Sequence, residues 1–527
     1  MPVYERIDGI VFYKGSIPMN IAVTGITGNM GQAVLTELEK LPEIENIKLL
    51  CNSVKRMKKL LKRHKAFKSK LQTVEGGMTA PAIEKLITGV DLVINMAAVI
   101  PPRSDHFPQA AVVCNELGAK LLVSAIECSE RQPALIHIST VAVYGNRSGA
   151  HPFVRVGDPL LASPLDVYSA TKIRSEFRVL ESSVRKWVIL RQSAMLHPQM
   201  LAGNVSDPLM YHTTYDAPLE WSTAHDSGVL IRKIVQSFAA NDIPEKFWRR
   251  CFNIAGGKAN REYGMQTFDA GFKIIGGSMR DFFKPGYSAT RNFHGGWFLD
   301  GDELNDMFPY IQQTTADYWK EIENTHPVFK LGRLVPKGLI RQVLFKRLLK
   351  NDNAPAYWAK HNDEARVIAY FGSREKYDRL NNSTWNDITL PDPATIPALT
   401  DNAAPVFYGF DFDKPDDKLT TTDLKSVAKA HGGELLSEWR GDMYEKLDWQ
   451  TQDGKKFTAR PYTVLRAGHW HNPLYDGFVW DFDRLSKTDK VFASVWYDTH
   501  ERDEDYVYSL DGDFKAHVKK ADAESKA

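Results

Sequence analysis

Cysteine is scarce in this 527-residue chain: Cys51, Cys114, Cys128 and Cys251 are the only four, and none lies in the second half. Their spacing matches no zinc-ligand pattern, so they read as reduced thiols of a cytoplasmic protein rather than a disulfide framework. Long apolar runs are missing too. No stretch of about eighteen apolar residues occurs, which argues against an integral membrane segment. Met1 to Asn20 holds no apolar core of signal-peptide length and carries Glu5 and Asp8 where basic residues would stand. Excess charge of one sign is also absent. The 67 Lys and Arg residues nearly balance 65 Asp and Glu, a formal +2, so no global field favours a nucleic acid or membrane partner. What is present, 43% hydrophobic and 25% charged residues, suffices to bury a core without disulfide or metal staples.

From Asn20 to about Arg191, short β-branched runs alternate with amphipathic stretches. Strands are expected at Ile21–Thr24, Ile47–Cys51, Leu71–Glu75, Asp91–Met96, Ala134–Ser139 and Trp187–Arg191. Helices are expected between them, over Gln32–Leu41, Pro81–Thr88, Ala110–Cys128 and Leu165–Ser183. The alternation predicts βαβ units and an α/β fold, a Rossmann-type doubly wound parallel sheet. Strand-like pieces at Glu220–Ser222 and Cys251–Ile254 are assigned to the substrate side. The expected layout is an N-terminal extension (1–19), a dinucleotide-binding and catalytic domain with substrate loops (20–278), a helical substrate or cover region (279–390), a Pro-rich linker (391–400), a small α+β domain (401–513) and a tail (514–527).

The first strand runs into Gly25-Ile26-Thr27-Gly28-Asn29-Met30-Gly31 and then directly into a helix. In such a turn Gly25 permits the tight bend, Gly28 lets backbone approach a pyrophosphate, and Gly31 allows close helix–strand packing. The helix start offers free N–H groups and a positive dipole end to the phosphates. About twenty residues on, a carboxylate would hold the ribose 2′-OH of NAD. Here the second strand ends in Cys51-Asn52-Ser53-Val54-Lys55-Arg56. Asn52, Ser53 and Arg56 suit a 2′-phosphate instead, which favours NADP(H) and leaves NAD(H) as the alternative. The basic run from Lys55 to Lys70 also reads simply as a solvated helix face.

A hydride transfer needs a proton donor or acceptor at the substrate oxygen. A free tyrosine, at about pKa 10, is a poor one near neutrality. Tyr168-Ser169-Ala170-Thr171-Lys172 puts an ammonium one helical turn from a phenol, where it stabilises the phenolate. Ser139-Thr140 ends a buried strand before Val143-Tyr144-Gly145, and the Thr140 hydroxyl can position the oxygen. Asn115 lies upstream. The glycine turn, Asn95-Met96-Ala97-Ala98, the Ser-Thr strand end and Tyr168-x-x-x-Lys172 resemble, in order and spacing from Asn20 to about Gly257, the extended short-chain dehydrogenases/reductases. The resemblance implies that Tyr168 is the acid/base and that Lys172 also binds the nicotinamide ribose. It implies too that Thr140 completes the relay, that Asn115 holds a relay water, and that Ala97 and Ala98 border the cofactor. One departure is Gly77, where the family commonly has an Asp near the adenine.

Dehydratases of that family carry an acidic pair beside the catalytic Thr; Val141 and Ala142 stand here. Sugar epimerases usually place Asn where this chain has Ala194. The pattern therefore favours a reductase or dehydrogenase for a small, apolar carbonyl compound or secondary alcohol. A nucleotide-sugar epimerase using bound NAD and a non-catalytic dinucleotide-sensing scaffold are the alternatives. His197 and His212 lie in the expected substrate loops, each read as structural. Leu331 to Lys350 is amphipathic and basic; a helix covering the catalytic domain is preferred to one lying on a membrane surface. The C-terminal cluster His469, His471, His500 and Glu504 lacks cysteine partners and is expected to hold no metal. The expected partners are a small-molecule substrate and a second copy of the chain.

Overall fold

The computed structural model describes residues 4–7, 10–13, 17–200, 207–404 and 406–510. Seven strands form its central sheet: β1 (Met19–Thr24), β2 (Ile44–Cys51), β3 (Leu71–Glu75), β4 (Leu92–Asn95), β5 (Ala134–Thr140), β6 (Trp187–Gln192) and β7 (Arg250–Ile254). All pairs are parallel, in the order β7-β6-β5-β4-β1-β2-β3. The order reverses between β1 and β4. That is where an open α/β sheet leaves a crevice beyond its strand ends. Parallel pairing demands crossovers, and α1 (Asn29–Leu38), α2 (Val54–Arg63), α3 (Ala80–Ile87), α4 (Gly118–Cys128), α5 (Val167–Leu180) and α6 (Ala224–Ala239) provide them.

The strand cores are apolar on both faces because helices cover both. On one face Val34, Leu35 and Leu38 of α1 meet Leu230, Ile231 and Ile234 of α6. Contact there is close enough that a Cβ on Gly228 would lie 2.9 Å from the Ala33 carbonyl oxygen. On the other face Ile83, Leu86, Leu122, Ile126 and Val179 pack over Val93, Leu135 and Ile189. Burying each such side chain contributes roughly 1.5–3 kcal/mol, which offsets the entropy of ordering these segments.

One expectation is corrected. Cys251–Ile254 is not a substrate-side piece but the core of β7, paired with β6 along its whole length. The long α6 makes it a regular crossover. Glu220–Ser222 instead contributes to two small pairings, Pro218–Glu220 with Arg261–Tyr263 and Ser222–Thr223 with Met195–Leu196.

Helix α7 (Gly264–Ile274) closes the 20–278 stretch, and the helical region after it includes α8 (Thr315–Thr325). The Pro-rich stretch is folded rather than a free link: Pro393–Thr395 and Ile396–Asp401 are helical, and Ile396 packs with Phe153 and Trp297. Beyond it, α9 (Thr421–Ala430) accompanies an antiparallel sheet of β8 (Glu434–Leu435), β9 (Leu447–Gln450) and β10 (Lys456–Ala459). This module shares its core with the parallel sheet. Trp449, Tyr462 and Trp470 belong to the same apolar cluster as Trp187, Val179 and Ile189. The tail 514–527 lies outside the described residues.

Candidate active site

The crevice at the strand reversal is a cavity of about 1150 Å³. Gly25, Thr27, Gly28, Asn29, Met30 and Gly31 form one wall. Gly25 has a φ of +72°, and a Cβ there would lie 2.5 Å from the Met96 carbonyl at the end of β4. A Cβ on Gly31 would lie 2.5 Å from the Gly25 carbonyl oxygen. Only glycine fits either place. Gly28 takes the N-cap position of α1 with no side-chain cap, so the first N–H groups of that helix remain available at the cavity. Opposite, the Thr24 hydroxyl accepts from the N–H groups of Met96 and Ala97 at 3.1 and 3.0 Å and donates to Asn95 Oδ1 at 2.6 Å. That clamp fixes the backbone at Met96 and Ala97, and Ala97 and Ala98 both stand at the cavity wall.

Asn52 and Arg56 reach the cavity, but Ser53 does not. The Ser53 hydroxyl instead caps α2, accepting from the Arg56 N–H at 3.4 Å. On α2 only Met57 and Leu60 are buried, so most of the basic run is a solvated face. Gly77 also lines the cavity, and open space surrounds the position its Cβ would take.

The catalytic candidates converge deeper in. Thr140 ends β5, and Asp166 caps the start of α5, its carboxylate accepting from the Ser169 N–H at 3.1 Å. Ser139, Thr140, Tyr168 and Lys172 all border the cavity. Tyr168 and Thr140 share a hydrogen bond, which pulls the phenol down, but burial dominates and pushes Tyr168 up to about 12. Lys172 is 2% exposed, and its ammonium donates to the Ile138 carbonyl at 2.6 Å. Burial lowers it to about 8, with Glu176 acting the other way. The Ser139 hydroxyl and His197 Nδ1 are buried at this cavity with no protein partner.

Asn115 stands behind the cavity. It is buried in a widened helical turn, Val112–Leu117, and is not part of the cavity wall. Its amide spans the chain at Val99, accepting from that N–H at 2.7 Å and donating to that carbonyl at 3.0 Å. The second amide hydrogen goes to Thr171 Oγ1 at 3.0 Å. Both donors are committed, so Asn115 ties the loop after β4 to α5.

One turn beyond Lys172, Glu176 forms a fully buried ion pair with Arg191 at 2.7 Å. Burial alone would raise Glu176, but the Arg191 guanidinium and a hydrogen bond from His469 hold it below the usual carboxylate range. An ionised carboxylate only accepts. His469 Nε2 therefore carries its proton toward Glu176 at 2.9 Å, and Nδ1 accepts from the Tyr475 hydroxyl at 2.5 Å. Arg191 also donates to the Ala467 carbonyl at 2.8 Å. The C-terminal module thus braces α5 from behind, at a junction that sequence spacing gave no means of pairing.

The other half of the cavity is aromatic. Trp221, Phe268 and Phe272 of α7, Trp319 of α8, Phe329 and Phe345 line it, with Met195 and Leu344. At its edge lie Asp105, Asp166, His212, His294, Asn353 and Arg366. Burial and the neighbouring Asp166 raise Asp105 to about 7. His212 bonds the Asn353 carbonyl at 2.8 Å, packs on Trp358, and is pushed by burial down to about 4. None of the aromatic lining carries a motif.

Among the described residues, Asp483, His500 and Glu504 are the one group with metal-donor atoms gathered within 4.8 Å. Their atoms are already engaged. Both Glu504 oxygens accept from Arg291 at 2.8 Å, Asp483 accepts from Trp496 Nε1 at 2.7 Å, and the His500 ring stacks on Trp496 at 3.7 Å.

Residues 21–194 match the NAD dependent epimerase/dehydratase family. Similar solved structures include the UDP-glucuronic acid 4-epimerase from Bacillus cereus in complex with NAD, at 20% identity over 59% of this chain and 99% of that one, TM-score 0.44. Another is the dTDP-glucose 4,6-dehydratase DesIV from Streptomyces venezuelae, a double mutant with NAD bound, at 18% identity over 59% and 100%, TM-score 0.47. No curated protein matches the chain. No helix among the described residues is long and apolar enough to cross a membrane.

Proposed function

We propose that the protein is a nicotinamide-dinucleotide-dependent reductase or dehydrogenase, preferring NADP(H), for an apolar carbonyl compound or secondary alcohol. The observation that carries this is the convergence of Thr140, Tyr168 and Lys172 on one cavity whose two halves differ in kind. The Gly25–Gly31 turn, open N–H groups at α1 and the unpartnered hydroxyl of Ser139 suit a dinucleotide. Asn52 and Arg56 suit a 2′-phosphate on its adenosine. The bound dinucleotide supplies or takes up the hydride.

The chain's own residues handle the proton. In the reducing direction Tyr168 donates from Oη to the substrate oxygen, which the Thr140 hydroxyl holds. Burial keeps the phenol protonated, as a donor requires. The Lys172 ammonium then stabilises the phenolate left behind. Asn115 and Glu176 act as positioning residues, the first through Thr171 and Val99, the second through the charge beside Lys172. The aromatic half suits an apolar substrate body, because Trp221, Phe268, Phe272, Trp319, Phe329 and Phe345 line it.

The test is oxidation of NADPH and NADH against ketones and aldehydes of increasing apolar size, followed at 340 nm. Net turnover with the larger members is expected. The family match supports a second reading, a nucleotide-sugar epimerase, which interconverts sugars without net release of reduced cofactor. Turnover of a nucleotide sugar with no net oxidation would replace the reductase reading.

A further inference from the structure

We infer that the segment 327–350 docks the protein on an anionic lipid surface, with the aromatic half of the cavity directly behind it. Six large apolar side chains stand exposed here within sixteen residues: Val328, Leu331, Leu334, Val335, Leu339 and Val343, from 37% for Val335 to 82% for Leu334. Elsewhere among the described residues such side chains are sparser, the densest run being Ile100, Phe107 and Val113 within fourteen residues. Pro327–Leu334 is a helix with about three residues per turn, so Val328, Leu331 and Leu334 fall in one outward row. Helical turns from Lys337 to Leu348 follow. There Leu339 and Val343 point outward, while Phe345 and Leu348 are buried. The preferred sequence reading, a cover helix with only its basic side in water, leaves this outer apolar row unexplained.

Charge selects the occupant. Residues 327–350 contain no acidic residue, and Arg341, Lys346, Arg347 and Lys350 are exposed around the row. Lys330, Arg333 and Lys337 are paired with Glu323 or Asp281, which leaves the second half of the segment as its basic end. An apolar row set among cations is the composition that inserts into the headgroup boundary of a negatively charged bilayer. A protein partner would meet the same row with shape and hydrogen bonds, yet these side chains form a ridge rather than a pocket.

The inner side of the same segment makes the position useful. Phe329, Leu344 and Phe345 face inward and line the cavity with Phe268, Phe272 and Trp319. Docking would therefore set the apolar half of the cavity against the acyl region, where a lipophilic carbonyl compound concentrates. This consequence rests on the function proposed above; the docking itself does not.

Sedimentation of the full chain with vesicles tests it. Binding is expected to phosphatidylcholine vesicles containing about 30% phosphatidylglycerol, weaker binding to phosphatidylcholine alone, and loss at high salt. Leu331→Ser with Leu334→Ser, and separately Arg341→Glu with Arg347→Glu, should each weaken binding to the anionic vesicles by about tenfold or more. All four side chains are exposed, so both variants should unfold at the temperature of the parent. Tyr168→Phe should bind vesicles as the parent does, which separates failure of docking from failure of the catalytic reading. Absence of binding to anionic vesicles, or binding that neither double variant weakens, would overturn the proposal. So would a dimer in sedimentation velocity that the Leu331→Ser/Leu334→Ser variant dissociates while vesicle binding persists unchanged.

Discussion

The two halves of the cavity are made of different materials. At the half proposed to take the dinucleotide the wall is backbone, held by Gly25, Gly31 and the Thr24 clamp within one short stretch of chain and the neighbouring strand end. At the substrate half the wall is aromatic side chains drawn from α7, α8 and the segment after it, far apart in sequence. Backbone recognition tolerates almost no substitution, because a single Cβ would collide with a carbonyl. Aromatic walls tolerate replacement by any ring of similar size. On the function proposed above, a fixed cofactor and a variable substrate call for that division, with Tyr168 at their junction.

The comparison breaks most decisively at that junction. Tyr168→Phe removes the phenol but keeps the ring, so turnover should fall by roughly two to four orders of magnitude with stability nearly unchanged. Thr140→Val should approach the same loss and Thr140→Ser should be mild. Lys172→Met should lower turnover and also weaken cofactor binding. Steady-state rates and fluorescence titration of NADPH check all four. If Tyr168→Phe kept most of its activity, the two halves would not share one proton relay.

The next effect comes from behind α5. Glu176→Gln leaves Arg191 buried without its counter-charge, which should destabilise the fold by about 3–5 kcal/mol in denaturant titration. It also has a catalytic signature. Glu176 raises Lys172 while burial holds it at about 8, so activity that needs the ammonium should fall as pH rises through about 8. Without the carboxylate the neutral amine is favoured, and this limb of the pH–rate profile should move to lower pH. An unmoved limb in a folded Glu176→Gln enzyme would limit the C-terminal module to structural support.

Legibility in the sequence follows the same division. The strands β1 to β6, the glycine turn and the Tyr168–Lys172 spacing could be read because each is a local pattern with a fixed period or offset. Asn52, Arg56, Ala97 and Ala98 reach the cavity for the same reason. The hydrogen bonds of Ser53 and Asn115 could not be read, because residue type alone does not say where such a bond goes. Ser53 spends its hydroxyl on a helix cap, and Asn115 spends its amide on Val99 and Thr171. β7 was misassigned because about thirty residues of loops and short pairings separate β6 from α6, which hides the crossover that leads to it. The bracing of Glu176 by His469 joins positions far apart in the chain, and no periodicity encodes such a pair.

At the substrate half, Trp319→Ala should enlarge the cavity without touching the glycine turn. It should raise KM for the bulkiest apolar substrates by about tenfold, the loss of roughly 1.4 kcal/mol of apolar contact. NADPH affinity should stay constant in the same titration. Parallel weakening of both would mean that the halves are not independent.

The smallest effect sharpens the cofactor side. Arg56 borders the cavity with an exposed side chain, so a 2′-phosphate contact there is partly screened by water. Arg56→Ala should weaken NADPH about tenfold and leave NADH unchanged. Ser53→Ala provides the contrast. It removes the α2 cap and should cost about 1 kcal/mol of stability, but it should not alter the preference between the two dinucleotides. Fluorescence titration of both cofactors with both variants decides the matter. Equal loss of NADPH and NADH on Arg56→Ala would mean that the guanidinium supports the adenosine generally, and the preference for NADP(H) would fall.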